Sequence, residues 1–419
     1  VPILVGVNEL EPGMILAASV VNNYTVLLPH GRKLNEYDIR ALTRKLPDVM
    51  VRVIDPVLDN VVEFDDDSAD RHVAHEVRRN ISQVARKVSA SIRGGVALNA
   101  DNISGINDVI QEMLTYLSEN PVTTAVMEQS NGWGDYLQEH AANVFYLSLV
   151  IGNTLRNYIK QERERLSHAT VVHNAMNLTP LATAALFHDI GMVPLEDLYT
   201  NPAPLSSEQR RQVRQHPAVG AAMLGQQIDP MARQIVQCHH ENHDGSGYPN
   251  ALAGDQVNVF ARILRVADSY AAGVSTRIFA NAKSPIRTLH EMVIGRYRPF
   301  YDPIVLKVFA SIVQPLPIGA KLQLADGRWA VVVRHDRTNP FSPEIMIAYD
   351  KLGDPIAPDE LEKPFHLGQR PDIEPVAFGS EDLTFLTQTS EPAALPQDAA
   401  APTPPVSSDC DELFCYLHP

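Results

Sequence analysis

The 419-residue sequence carries only three cysteines, Cys238, Cys410 and Cys415. That number builds no disulfide framework and predicts a chain suited to a reducing compartment. No run of about 18 apolar residues appears, so no membrane insertion is expected. The first residues lack a charged-then-apolar export pattern, and a soluble, cytoplasmic protein is the expectation. Basic residues are also short: 35 Lys and Arg stand against 50 Asp and Glu, a formal net charge of −15. A broad surface for the phosphates of a nucleic acid polymer is thereby disfavoured. A small anionic substrate would need positive charge gathered locally, from arginines or from metal ions. Hydrophobic residues make up 45% of the chain, enough for the cores of about two or three domains.

Pattern divides the chain into five stretches. Residues 1–65 read as a β-rich (α/β) regulatory module, with two β-branched runs around Asn22-Asn23 in "GMILAASVVNNYTVLLPHGRKL". Asn35 can cap a short helix ended by Pro47, and a strand-like "VMVRVI" follows. Residues 66–125 read as a helical connector that packs on the next domain. Its stripes are Val73, Val77, Ile81, Val84, Val88 and Ile92, then Ile103, Ile106, Ile110, Leu114 and Leu117. Residues 126–315 are rich in helix signals and poor in alternation, which predicts one all-α domain. Residues 316–365 predict a short C-terminal β extension, a hairpin about Asp326-Gly327 plus a third strand in "EIMIAYD". Residues 366–419 turn acidic and proline-rich, with no Lys or Arg after position 379, which predicts a disordered tail. Cys410 and Cys415 lie there without the second pair that a zinc site needs. The fold class expected is multidomain α+β, an all-α helical domain flanked by two β pieces.

The densest chemistry lies in "QIVQCHHENHDGSGYPNALAG", where three His, one Glu and one Asp fall between His239 and Asp244. His240 and His243 are three apart rather than four, and Asp244-Gly245 breaks the helix, so the helical zinc-protease motif is excluded. Other ionisable groups sit on apolar helix faces. Asp268 follows Leu264 by four on the stripe of Phe260, Ile263, Leu264 and Ala267; a lone buried carboxylate there costs several kcal/mol unless satisfied. His140 lines up with Val144, Leu147 and Ile151. In "TPLATAALFHDIG", Thr179 caps, Pro180 starts and Gly191 ends a helix, putting His188 and Asp189 in its last turn. Ser206 and Gln209 form a capping box on a helix that His216 closes before Pro217. Asp229-Pro230 start the helix that ends in His239-His240.

A single histidine on an apolar face is more often a hydrogen-bonded core residue than a ligand. Here five helices deliver seven hard or borderline donors: His140, His188, Asp189, His216, His239, His240 and Asp268. Such a set suits iron, manganese or zinc, and it exceeds the needs of one ion. The expectation is a two-metal site.

In this order, with "HHENHDGSGYP" at its centre, the sequence resembles the HD-GYP family, bacterial HD-superfamily metal-dependent phosphohydrolases acting on cyclic di-GMP. "LFHDIG", "HPAVGAAML", "RILRVADSY" and "YDPIVLKVF" extend the likeness over residues 136–312, and "LEPGMIL" and "DGRWAVVV" resemble segments that flank this domain. The resemblance implies hydrolysis of cyclic di-GMP to pGpG or GMP in bacterial signalling. It assigns His140, His188, Asp189 and Asp268 to one ion and Asp189, His216, His239 and His240 to the other, with Asp189 bridging as the catalytic residue. Iron or manganese would be the cofactor pair. Tyr248 and Arg277 match positions that contact the dinucleotide, and Glu241 and Asp244 would orient imidazoles by hydrogen bonds. Tyr136 stands where relatives with a third metal carry a glutamate.

Two departures stand out. Met192 replaces the family's lysine in "HDIGMVPLED", and Ala280 replaces a second basic residue. Each lost charge-assisted bond is worth about 1.5–3 kcal/mol, which implies a slowed enzyme. The alternative is a sensor or scaffold that keeps its metals and binds cyclic di-GMP, or a GGDEF-domain diguanylate cyclase through the Gly-Tyr-Pro loop. A homodimer is compatible with either, and an HD phosphohydrolase for another nucleotide is the third reading.

Overall fold

The structure is a computed structural model that describes residues 2–22, 25–47, 49–55, 79–87, 90, 100–119, 136–166, 177–200, 203–275 and 283–387. Its N-terminal part runs β1 (Pro2–Gly6), β2 (Val20–Asn22), β3 (Thr25–Leu28), α1 (Glu36–Lys45) and β4 (Met50–Ile54). β2 and β3 pair across the Asn22-Asn23 turn signal, and β1 pairs antiparallel with β4. Asn35 does cap α1: its side chain accepts from Asp38 N at 2.9 Å, and Asp38 accepts in return from Asn35 N. Acids open this helix and Arg44 and Lys45 close it, the arrangement that suits the helix dipole.

The C-terminal strands are β5 (Lys321–Leu324), β6 (Trp329–Arg334), β7 (Glu344–Tyr349), β8 (Phe365–His366), β9 (Pro375–Phe378) and β10 (Glu381–Asp382). They form one sheet in the order β10-β9-β5-β6-β7-β8. Gly327, at φ +93°, supplies the left-handed residue that turns the β5–β6 hairpin.

Two features of this β region differ from the sequence reading. First, the N- and C-terminal pieces are not separate: Val5, Leu16, Val51 and Val53 share a core with Val331, Val333, Met346 and Ala348. Leu4 N donates to Gly319 O at 2.8 Å and Arg52 Nη1 to Ile318 O at 3.1 Å. A junction between segments more than 250 residues apart (Arg52 to Ile318 spans 266) leaves no trace in local periodicity. Second, ordered structure continues past residue 365. β9 and β10 lie in the stretch assigned to the tail, Leu383 is fully buried, and Glu381 pairs with Arg287 at 2.6 Å. Proline and acid content misleads here because Pro375 stands at the start of a strand, where a missing N–H is tolerated. Residues 388–419, including Cys410 and Cys415, lie outside the described residues.

Between these pieces stand α2 (Ala100–Glu119), α3 (Tyr136–Thr154), α4 (Arg156–Leu166), α5 (Thr179–Phe187), α6 (Ser207–Val213), α7 (His216–Met223), α8 (Pro230–Cys238), α9 (Val259–Gly273), α10 (Pro285–Val293) and α11 (Pro303–Ile312). They enclose one core that includes Phe145, Ile151, Leu181, Ile235, Phe260, Leu264 and Phe309. Ile106, Ile110, Met113 and Leu117 of α2 bury in it, as does Ile81, so the connector packs where its stripe points. Val73, Val77, Val88 and Ile92 lie outside the described residues.

α9 is the axis of the domain: every residue from Val259 to Ala272 is buried. A helix enclosed on all sides must satisfy each charge it carries. Arg262 does so through Tyr158 Oη at 2.8 Å and through the Asp302 and Glu162 carboxylates. Asp302 also accepts from Ile304 N and Val305 N, capping α11. Among the described residues no helix is long and apolar enough to cross a membrane.

Candidate metal centre

Helix ends build the site. His188 and Asp189 follow α5, His239 and His240 follow α8, and His216 is the first residue of α7. His140 and Asp268 project from the middle of α3 and α9. Three helix boundaries differ from the sequence reading. Thr179 is the first helical residue rather than the cap, and α5 stops at Phe187, Gly191 lying in the 3-10 turn 190–195. His216 opens a helix rather than closing one, because a proline in the first turn sacrifices no hydrogen bond.

All seven predicted donors converge. The five histidines and Asp268 are at most 1% exposed, and the Asp189 side chain is 14% exposed, giving the site its one wet side. Asp189 lies at the centre with its two oxygens facing different partners. Oδ1 is 3.2 Å from His216 Nε2 and 3.8 Å from His239 Nε2. Oδ2 is 3.2 Å from His188 Nε2 and 3.7 Å from His140 Nε2. Asp268 Oδ1 adds contacts of 3.0 Å to His140 Nε2 and 3.7 Å to His188 Nε2.

Three of the imidazoles are oriented by backbone carbonyls near the ends of the helices that precede them. Nδ1 of His188, His216 and His239 lies 2.9, 2.7 and 2.6 Å from the carbonyls of Ala185, Val213 and Val236, each three residues back. A carbonyl can only accept, so each Nδ1 carries a proton and each Nε2 is turned inward, where it can hold an ion once any proton on it is shed. His216 Nε2 and His239 Nε2 then face each other at 3.2 Å. Only a shared cation or an extra proton can occupy that gap.

The electrostatics point the same way. Burial and the charge of His216 and His188 push His239 down to about 3, so its Nε2 is unprotonated at neutral pH. Burial would also lower His188, but the Asp189 and Asp268 carboxylates outweigh it and raise the ring to about 9. Partial burial would raise Asp189, yet His188 and His216 hold it well below the usual carboxylate range. The pocket is built to attract positive charge. Asp189, His216, His239 and His240 bring one ligand atom each within 4.8 Å of one another, as do His140, His188 and Asp189. These nitrogen and oxygen donors, free of thiolate, fit two borderline divalent ions. Cys238 stays apart, its thiol pushed up to about 11 by burial and by Glu241.

The surrounding residues take partly unexpected roles. Glu241 does not orient an imidazole: it accepts from Asn250 N at 2.7 Å and Leu252 N at 3.0 Å and so pins the Gly-Tyr-Pro loop. Asp244 accepts from Ser246 N at 2.9 Å and Ser246 Oγ at 2.6 Å, which shapes the turn. Backbone carbonyls three residues back do the orienting assigned to these carboxylates by the sequence. Gly247 must be glycine, since a Cβ would lie 2.2 Å from Asn242 N and 2.5 Å from His240 O. Tyr248 stacks on His240 with ring centres 4.8 Å apart. Met192 is 2% exposed and packs with Leu137, Leu205 and Val213. Tyr136 opens α3, and Arg277 and Ala280 lie outside the described residues.

Two arginines escaped the sequence reading. The Arg214 guanidinium lies over the Tyr248 ring at 4.8 Å. Buried Arg265 donates to Asn242 Oδ1 at 2.9 Å and Ser269 Oγ at 3.0 Å, with Asp268 Oδ2 3.8 Å away. The second was legible, for residues three apart on a helix are neighbours. The first depends on a loop folding back.

Residues 153–305 match the HD domain family. Over 172 residues the chain is 33% identical to a cyclic di-GMP phosphodiesterase of Pseudomonas aeruginosa, covering 40% of each protein. It is 31% identical over 139 residues to a cyclic di-GMP phosphodiesterase of Thermotoga maritima, covering 32% of this chain and 38% of that one. A 3'3'-cGAMP-specific phosphodiesterase of Vibrio cholerae is 27% identical over 146 residues, covering 34% of this chain and 28% of that one. The chain thus spans 40% or less of the length of these relatives.

Proposed function

Because residues 153–305 match the HD domain family and the chain resembles cyclic di-GMP phosphodiesterases, we propose that it is a metal-dependent phosphodiesterase of HD-GYP type that hydrolyses cyclic di-GMP to pGpG and on to GMP. The observation that carries this reading is Asp189, whose two oxygens address two separate imidazole sets. His140, His188, Asp189 and Asp268 would hold one ion, and Asp189, His216, His239 and His240 the other; iron or manganese is the expected pair. When bound, two such ions supply a water nucleophile at neutral pH and neutralise charge on a phosphodiester.

The chain's own residues do the rest. The carbonyl-tethered imidazoles need no reorientation on loading, and the buried walls exclude bulk water. Burial pushes the Tyr248 phenol well above its usual value, so it serves as a hydrogen-bond donor to the substrate and not as a base. Arg277 is the second proposed substrate contact.

The decisive experiment is turnover of cyclic di-GMP, with 3'3'-cGAMP as comparator, by protein of measured metal content. We expect about two ions per chain, release of pGpG, loss of activity on chelation and recovery with manganese or ferrous iron. Fully loaded protein that cleaves neither dinucleotide would overturn the reading. The sensor or scaffold reading, which Met192 favours, then requires binding without cleavage.

Met192→Lys separates two effects. A cation beside the scissile phosphate should raise kcat about tenfold, if it regains roughly 1.4 kcal/mol in the transition state. The same change puts an ammonium among Leu137, Leu205 and Val213, costing up to a few kcal/mol, so the melting temperature should fall. An unchanged kcat with a lower melting temperature would remove position 192 from the account of rate.

A further inference from the structure

We propose that Arg214 is a specificity-determining residue that grips a phosphate of the dinucleotide at the mouth of the metal centre. The proposal rests on the phosphodiesterase reading for its ligand, and on three observations for its place. Arg214 is exposed and, among the described residues, has no carboxylate partner; its guanidinium carbon lies over the Tyr248 ring, 4.8 Å from the ring centre. Tyr248 in turn stacks on His240 at 4.8 Å, so two ring contacts join the guanidinium to a proposed ligand. Tyr248 is 6% exposed, yet its hydroxyl finds no hydrogen-bond partner among the described residues. That hydroxyl lies within electrostatic reach of Arg214 and Arg265 and of Asp268 and Asp189. A buried, partnerless donor close to an uncommitted cation and to the ion-binding carboxylates is a place shaped for an anionic oxygen.

The chemistry explains why an arginine should stand there. The chain is strongly acidic, at −15, and Met192 is folded into an apolar cluster, so position 192 supplies no charge. A planar guanidinium braced on an aromatic ring is pre-set for two-point contact with phosphate. Tyr248 braces the guanidinium, and the backbone fixes its origin two residues before His216. Arg214 is therefore positioned by the same turn that delivers a proposed ligand.

The test uses the metal-loaded full chain and measures equilibrium binding of a slowly hydrolysed phosphorothioate analogue of cyclic di-GMP, alongside metal content and turnover. Arg214→Ala should weaken binding about tenfold or more and raise KM by a similar factor, with metal content equal to wild type. Arg214→Lys should recover part of the loss, since it restores charge without the planar fork. Tyr248→Phe, which keeps the ring and removes the hydroxyl, should weaken binding less than Arg214→Ala. Binding unchanged within twofold in fully loaded Arg214→Ala overturns the proposal, as does a loss that merely tracks lost metal. If wild type binds the analogue but cleaves nothing, the enzymatic reading fails while the same binding series still decides Arg214. If wild type neither binds nor cleaves, both fall.

Discussion

Asp189→Asn should yield a folded protein that retains at most about one ion per chain and loses at least about a thousandfold in turnover. The amide preserves the size of the carboxylate but removes its charge and one of its two acceptors. Oδ1 and Oδ2 each serve a different imidazole set, at 3.2 Å to His216 and 3.2 Å to His188. Asp268 also reaches both sets, but it approaches His240 of the second only to 3.9 Å; among the described residues Asp189 makes the closer contact with that set, so its loss weakens both. Elemental analysis together with cyclic di-GMP turnover checks the result. Two ions retained with near-normal rate would mean that the two imidazole sets act independently, and the shared-carboxylate reading would be abandoned.

Gly191→Ala should be the most damaging small substitution away from the ligands themselves. A methyl there would lie 2.1 Å from His216 O and 2.8 Å from Gly220 N. Both obstacles are backbone, so no rotamer change relieves them. The turn carrying His188 and Asp189 must separate from the start of α7, which carries His216. Overpacking of this kind costs about 1–3 kcal/mol and sometimes more, and here it also pulls apart one ligand group. We expect a lowered melting temperature and loss of roughly one ion. Gly105→Ala in α2, where nothing lies within 4 Å, is the matched control and should be neutral or mildly stabilising. Equal melting temperatures for the two variants would show that the close approach at Gly191 relaxes freely.

The site was more legible in the sequence than the fold that carries it. His140, Asp268 and the two paired motifs could be read because periodicity locates an ionisable residue on a buried face, and burial without a partner demands an explanation. The capping residues Asn35, Ser206 and Asp229 announced helix starts correctly for the same local reason. Errors arose where meaning depends on a distant neighbour. Pro217 looks like a stop signal in one direction and a start in the other, and only the packing of Gly191 against α7 decides. Glu241 was assigned to imidazoles since it adjoins them in sequence, whereas the loop nine residues on folds back to claim it. Likewise the two β pieces meet through Leu4, Arg52, Ile318 and Gly319, a contact that no window of sequence contains.

The backbone tethers on His188, His216 and His239 have a consequence for how the centre comes apart. Each ring occupies a carbonyl left over at the end of a helix, which otherwise lacks an intrahelical partner. The proposed ligands are therefore also caps of the helices that precede them, and the same imidazole serves secondary structure with one nitrogen and the ion with the other. Chelation removes only the second of these duties and leaves the helix ends closed. Replacing a ring by alanine removes both, so such a variant reports fraying and metal loss together. The protein emptied of metal and the protein stripped of a ligand are consequently different molecules, and only the former is a fair reference for what the ions contribute.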